Sequence, residues 1–283
     1  MTAFDVSERR IWDGRAESYA RTFARLCAHA VPALLDAAGV GPGTRVLDVG
    51  CGSGSVTVAA VGRGAVVRAV DAEPGMVEMT RRAAPGVDVR CGSLPQLSYE
   101  KGEFDAVVAN FVLNHVGRPL DSLAELCRIT RPGGRVAVTI WQAPGGPGQA
   151  LIGRAAEAAG LTRPQWLASV DPEHNFPRTL EGLGALLEAA GLDGVRSEAL
   201  AWDHRVGAED WWAGPAAGVA AIGQLVNSRG PAGVAAAKRE YDALCTEFMA
   251  EDGRLALPHV ALLARGSRPG GDEASGRPFP QAH

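Results

Sequence analysis

The chain is short of the features that mark several large protein classes. Its five cysteines, Cys27, Cys51, Cys91, Cys127 and Cys245, contain no CxxC pair and are odd in number, so neither a disulfide framework nor a zinc site is expected. The histidines include neither HxxxH nor HExxH, and no metal is expected. Basic residues do not outnumber acidic ones: 28 Lys and Arg against 32 Asp and Glu leave a formal charge of −4. That balance provides no general field to hold a polyanion, and nucleic acid is not an expected partner. No apolar run reaches the roughly 18 residues of a membrane span. Met1 to Arg15 carries Asp5, Glu8, Arg9, Arg10 and Asp13 where a secretory leader would be apolar. A soluble, cytoplasmic protein without membrane contacts is the expectation. The GxSxG elbow of serine hydrolases is also missing, because Gly52-Ser53-Gly54 lacks the neighbours that motif needs.

What is present is an ordinary globular composition, 46% hydrophobic and 21% charged over 283 residues, enough for one enlarged α/β domain. Phe4 to Ala38 is rich in helix formers, and Phe23, Leu26, Cys27, Ala30, Leu34 and Leu35 recur at helical spacing before Gly39 to Gly43 breaks the pattern. Short apolar strands are then predicted at 45–49, 65–70, 87–90, 104–109 and 135–141, alternating with helices at 55–61, 74–83 and 120–130. A further helix is predicted over 180–190, a sixth strand within 195–202 and a last one at 257–263. Mostly apolar strands alternating with helices imply a doubly wound, mostly parallel, seven-stranded Rossmann-like sheet covered on both faces. On such sheets ligands lie beyond the carboxyl ends of the strands. The domain reading is a helical N-terminal lid over 1–40, the α/β domain over 41–265 with helical cap insertions near 142–178 and 207–250, and a loose tail over 266–283.

The clearest local signal is Asp48-Val49-Gly50-Cys51-Gly52-Ser53-Gly54, placed between a strand and a helix. Glycines at such a turn let the backbone approach a ligand where a β-carbon would collide. The spacing is GxGxG, whereas dinucleotide folds use GxGxxG with a helix N-terminus facing pyrophosphate. Asp48 places a carboxylate beside the turn, which suits a cationic ligand better than pyrophosphate. Asp71 ends the second strand 17 positions after Gly54, where a carboxylate can accept the hydroxyl protons of a ribose.

In this order the segment Val46 to Gly54 resembles the first signature of class I S-adenosyl-L-methionine (SAM)-dependent methyltransferases of the UbiE/small-molecule type. The resemblance extends through Asp71, Phe104-Asp105, Leu113-Asn114-His115-Val116 and Arg131-Pro132-Gly133-Gly134, about half the chain. It implies SAM as cofactor, with Asp48, Gly50, Cys51 and Gly52 around the methionine part and Asp71 on the ribose. Ala72 and Met76 would lie against the adenine, Gly92, Ser93 and Leu94 would form its rim, and Asn110 and Phe111 would stand at the end of the fourth strand. Many relatives carry Asp at the position of Ser93. Trp12, Arg15 and Tyr19 fall in a segment similar to the family's N-terminal lid, with Tyr19 closing over the cofactor and Trp12 facing substrate; an amphipathic helix packed on the domain is the other reading.

Methyl transfer from a sulfonium is an in-line displacement, so alignment and exclusion of water carry most of the catalysis. An acceptor hydroxyl or activated carbon also gains from a base. His115 is the candidate base; its alternative is to cap the loop after the fourth strand. His174 and His204 lie in the variable half, where they either face the acceptor or are solvated, while His259 reads as a structural histidine in the last strand. Five of the six tryptophans, Trp141, Trp166, Trp202, Trp211 and Trp212, follow the common core. They point to an enclosed, planar acceptor of natural-product type, with Trp141 and His174 in its pocket and the methylated atom left open among O, N and C. A SAM-fold protein that binds without transferring methyl, cyclase-like or regulatory, is a competing reading, and a nicotinamide-dependent oxidoreductase a weaker one. The partner is then a small-molecule acceptor, with monomer and homodimer both open.

Overall fold

A computed structural model describes residues 1–270. Its strands are β1 (Arg45–Val49), β2 (Val66–Asp71), β3 (Asp88–Cys91), β4 (Phe104–Asn110), β5 (Thr130–Trp141), β6 (Asp193–Val206) and β7 (Leu255–Ser267). They form one seven-stranded sheet in the order β3-β2-β1-β4-β5-β7-β6. All pairings from β3 to β5 are parallel, and β7 runs antiparallel to both β5 and β6. The order reverses direction at β1 and β4, so the loops after these two strands diverge and leave a crevice between them.

The helices are α1 (Ala3–Trp12), α2 (Ala16–Arg21), α3 (Phe23–Cys27), α4 (Val31–Ala37), α5 (Ser55–Gly62), α6 (Pro74–Ala83), α7 (Pro119–Ile129), α8 (Pro147–Ala158), α9 (Leu180–Ala189), α10 (Ala208–Ala216), α11 (Ala220–Val226) and α12 (Gly230–Cys245). Several ends are specified by side chains. The Thr2 hydroxyl accepts from Asp5 N while the Asp5 carboxylate takes Thr2 N, a capping box that opens α1. Before α6 the Glu73 carboxylate accepts from Met76 N at 2.7 Å, with Pro74 at the first helical position.

Alternation along the strands sends successive residues to opposite layers. Leu47, Val49, Val107, Ala109, Val136 and Val138 pack with Leu123 and Leu126 of α7 and Leu183 and Leu187 of α9. Val46, Ala106, Val108 and Ala137 pack with Leu34 and Leu35 of α4 and Val56 and Ala60 of α5. A third cluster joins α8, α10 and α12 through Leu151, Ala155, Trp211, Trp212 and Tyr241 to Leu255 and Leu257 of β7. At roughly 1.5–3 kcal/mol per buried aliphatic or aromatic side chain, these layers dominate stability.

Local differences from the sequence reading have local causes. The N-terminal segment is four helices with a 3₁₀ turn, because Gly14 takes φ +66° and Thr22 is non-helical. Strands β6 and β7 are longer than predicted, since they pair with each other from Asp193 to Val206. The tail boundary at 266 is too early: β7 continues to Ser267, and Arg268 donates to the carbonyls of Arg128 and Thr130 at 2.7 and 2.6 Å. The remainder of that segment, 271–283, lies outside the described residues. Among the described residues, no helix is long and apolar enough to cross a membrane.

Candidate functional site

The glycine turn is held from two sides. Gly50 N and Cys51 N both donate to Val70 O, at 2.7 and 3.1 Å, which ties the loop after β1 to the end of β2. Gly50 and Gly52 take φ +68° and +56°, and a β-carbon would collide with Val112 Cγ2 at the first and meet the Tyr19 ring at 3.3 Å at the second. Only glycine satisfies both the backbone and the space there.

Asp71 is pre-oriented by the same turn. Gly52 N donates to Oδ2 at 2.8 Å and Glu73 N to Oδ1 at 3.0 Å, leaving further lone pairs on both oxygens. Burial raises its carboxyl above the usual range, opposed by these two N–H groups. The Asp71 carbonyl also accepts from Gly92 N at 2.9 Å, which brings the segment after β3 alongside.

One cavity of about 1300 Å³ opens over these carboxyl ends. Tyr19, Gly50, Gly52, Asp71, Ala72 and Met76 line its first part, and Gly92, Ser93 and Leu94 follow. Asn110 and Phe111 stand at the middle; Trp12, His115 and Trp141 line the wall beyond. Asn110 is a strut: its amide donates to Cys27 O at 3.1 Å and its oxygen accepts from Thr139 Oγ1 at 2.6 Å, joining the N-terminal helices to β4 and β5. Tyr19 is half-buried, and desolvation pushes its phenol well above the ordinary value.

Three expected contacts do not reach this cavity. Asp48 is fully buried and its Oδ2 accepts from Thr57 Oγ1 of α5 at 2.5 Å. That bond ties α5 to β1, Oδ1 is buried without a partner, and burial pushes the carboxyl up to about 7. Cys51 turns into the apolar layer with Ala69, Val77 and Val89. His174 sits in the turn that starts at Asp171, away from the lining.

His115 does reach the cavity and has a partner from far away in sequence. Its Nδ1 lies 2.8 Å from Glu8 Oε2 of α1, and the same carboxylate oxygen accepts from Trp12 Nε1 at 3.0 Å. The Trp12 and His115 rings meet edge to face at 5.2 Å. Asp5 of the same helix accepts from Gly117 N at 2.7 Å, so α1 grips the 115–117 segment at two points. No spacing rule connects Glu8 with His115, and sequence reasoning passed over it.

The far end is aromatic. Phe111, in a left-handed conformation at φ +62°, stacks on Trp141 with ring centroids 4.1 Å apart. Trp211, Ile152, Gln149 and His259 also line this end. His259, read from sequence as a structural histidine of the last strand, lines the cavity as well. It is 2% exposed, its Nδ1 lies 2.8 Å from Leu257 O, and burial depresses its imidazole to about 4. The signal was available, because His259 shares strand parity with the buried Leu257 and Ala261. His204 packs behind it, edge to face at 6.2 Å, and is held down to about 4 by burial first and His259 second.

A family model described as a methyltransferase domain matches residues 47–138. The demethylmenaquinone methyltransferase of Beutenbergia cavernae is 35% identical over 173 residues, 58% of this chain and 71% of that protein. The enzyme of that name from Renibacterium salmoninarum is 37% identical over 111 residues, covering 39% and 47% of the two chains. Among solved structures, the YcgJ protein of Bacillus subtilis superposes with a TM-score of 0.56 at 18% identity over 86% of this chain and 99% of that one. Phosphoethanolamine N-methyltransferase 2 of Haemonchus contortus, solved with phosphomonomethylethanolamine and S-adenosylhomocysteine, gives 0.52 at 15% identity over 84% and 52%. At those identities the solved structures speak to the fold alone.

Proposed function

This chain belongs to the class I SAM-dependent methyltransferases, and from that premise we propose that it methylates a small, planar acceptor enclosed in the aromatic half of its cavity. The observation that carries the reading is continuity: one cavity runs from the glycine turn and Asp71 to the Phe111–Trp141 stack, so donor and acceptor would share one space.

The residues of the first half fit the cofactor. Gly50 and Gly52 let the turn run in its left-handed course against Val112 and Tyr19 at the cavity end that would take the methionyl part, and both Asp71 oxygens keep lone pairs for the ribose hydroxyls. Met76 and Leu94 offer apolar surface to the adenine, with Ala72, Gly92 and the Ser93 hydroxyl at its edge. When bound, SAM supplies a methyl group already activated on a sulfonium. The chain's own work is then alignment and proton removal.

Phe111 and Trp141, stacked on one another, make this end of the lining aromatic, which suits a flat ring. His115 takes the proton: Glu8 accepts only, so the neutral imidazole donates from Nδ1 to Glu8 and keeps a lone pair on Nε2. The two relatives are named for demethylmenaquinone, and their matches cover 58% and 39% of this chain; the acceptor class proposed rests on the aromatic wall of the cavity.

The test is incubation with methyl-labelled SAM and a panel of planar hydroxylated aromatics and aliphatic amines, read by mass spectrometry. Label is expected on the planar acceptors. Label on aliphatic amines alone would contradict the reading.

A further inference from the structure

The acceptor end of the cavity is lined mostly by apolar and aromatic groups, yet it contains polar atoms that the protein leaves unspent. His259 is 2% exposed. A carbonyl only accepts, so the 2.8 Å contact between its Nδ1 and Leu257 O places the ring hydrogen on Nδ1. Nε2 is then a lone-pair nitrogen, and it has no partner among the described residues. Three tryptophans hold the ring: Trp141, Trp202 and Trp211 stand with centroids 5.8, 6.3 and 5.9 Å away. The Trp211 indole N–H, itself buried, is also without a partner.

Gln149 faces the same space from α8. Its Oε1 accepts from Val260 N at 3.1 Å and from Gly146 N at 3.2 Å. Two backbone donors on one oxygen settle which amide atom is which, and they leave the NH₂ group as an uncommitted donor. Val260 follows His259 in β7, so the fixed acceptor and the fixed donor are anchored to neighbouring residues of one strand. The Trp211 N–H is shielded without a partner, while His259 and Gln149 line the cavity itself, and a wall with uncommitted polar groups is complementary to a ligand that satisfies them.

We propose that His259 and Gln149 form the polar anchor of the acceptor site, with His259 Nε2 accepting from an acceptor hydroxyl and the Gln149 amide donating to an adjacent oxygen. The enzyme accordingly selects planar rings that carry a hydroxyl beside a second oxygen, as in a catechol or a hydroxyketone. The inference rests on the proposed methyl transfer for its setting, and it specifies the acceptor class of that same cavity.

The experiment compares 2,3-dihydroxynaphthalene with 2,3-dimethoxynaphthalene on the full chain saturated with S-adenosylhomocysteine. The diol should bind at least about tenfold more tightly, because the ether cannot donate to a buried nitrogen. In wild-type protein the ¹⁵N resonance of His259 Nε2 should shift with the diol and stay fixed with the ether. His259→Phe should abolish the preference, and Gln149→Glu, which can keep both backbone bonds while replacing a donor with an acceptor, should reduce it. S-adenosylhomocysteine affinity should be unchanged in both variants. Equal binding of diol and ether, or a preference that survives in His259→Phe, would overturn the anchor. If His259→Phe does not fold, the wild-type resonance decides, and a stationary signal with the diol overturns it. Failure of S-adenosylhomocysteine to bind would instead overturn the methyltransferase reading, and the diol and ether comparison without it would still decide the anchor.

Discussion

Glu8 of the first helix and His115 of the loop after β4 meet at 2.8 Å, across 107 positions of sequence, at the wall of the cavity. The carboxylate engages Nδ1, and the His115 ring lines the cavity. His115→Ala should lower turnover by about 10²- to 10⁴-fold, the usual contribution of a positioned base. Glu8→Gln should lower it less, because the ring remains but its orientation is held more weakly. Neither change should alter S-adenosylhomocysteine affinity measured by calorimetry. Unchanged turnover in His115→Ala would leave the pair with only a structural role, fastening α1 to the loop.

Asp71 carries a different kind of load. Both its oxygens accept backbone N–H groups, so Asp71→Asn must turn an NH₂ toward either Gly52 N–H or Glu73 N–H. The substitution disturbs the glycine turn as well as the ribose contact. Affinity for S-adenosylhomocysteine should fall by roughly 1.5–3 kcal/mol, the range for hydrogen bonds to a charged group. Equal dissociation constants for the two proteins would remove Asp71 from the cofactor site.

Gly50→Ala tests the turn itself. The new methyl group meets Val112 Cγ2, and φ +68° is unfavourable for any side chain. Urea midpoints should fall, and cofactor affinity with them. Adding Val112→Ala should recover the steric part while leaving about 1–2 kcal/mol for the left-handed backbone. No recovery in the double variant would show that Val112 is not what excludes a side chain at position 50.

Asp48 gives stability a pH dependence. Its carboxyl is pushed from an ordinary 3.8 up to about 7, first by burial and then by the Asp71 charge, against the Thr57 hydrogen bond. Between about pH 4 and 7 the folded chain therefore holds a proton that the unfolded chain has released. Its contribution is complete below the unfolded value and is lost as pH rises through about 7. The unfolding free energy of the wild type relative to Asp48→Asn should decline between pH 5 and pH 8 in urea titrations, because Asn carries no titrating proton. His204 and His259, whose imidazoles burial holds down to about 4, tilt both curves the opposite way and cancel in the difference. Parallel curves for the two proteins would contradict the assignment.

These residues also mark what could be read from sequence. β1 and α6 begin and end where composition and capping place them, because Gly50 and Glu73-Pro74 are local signals that tertiary contacts do not override. Gly50, Gly52 and Asp71 were legible through their order on alternating elements and Gly92 through the family resemblance, and all line the cavity. Asp48 misled because proximity in sequence to a turn says nothing about which side of the strand a side chain takes; it points under α5. Glu8 and Gln149 gave no signal, since their roles arise only when α1 meets the loop after β4 and when α8 lies along β7. His259 was legible in principle from the alternation of β7, but an isolated histidine in an apolar strand resembles a satisfied core residue until the cavity beside it is seen.

SAM would occupy the cavity at Gly50, Gly52 and Asp71. Calorimetric titration of the wild-type chain with SAM, S-adenosylhomocysteine and a nicotinamide dinucleotide tests it most directly. Saturable heat at micromolar or lower concentration with the first two, and none with the dinucleotide, is the predicted result. Heat with the dinucleotide and none with either adenosyl ligand would contradict the account.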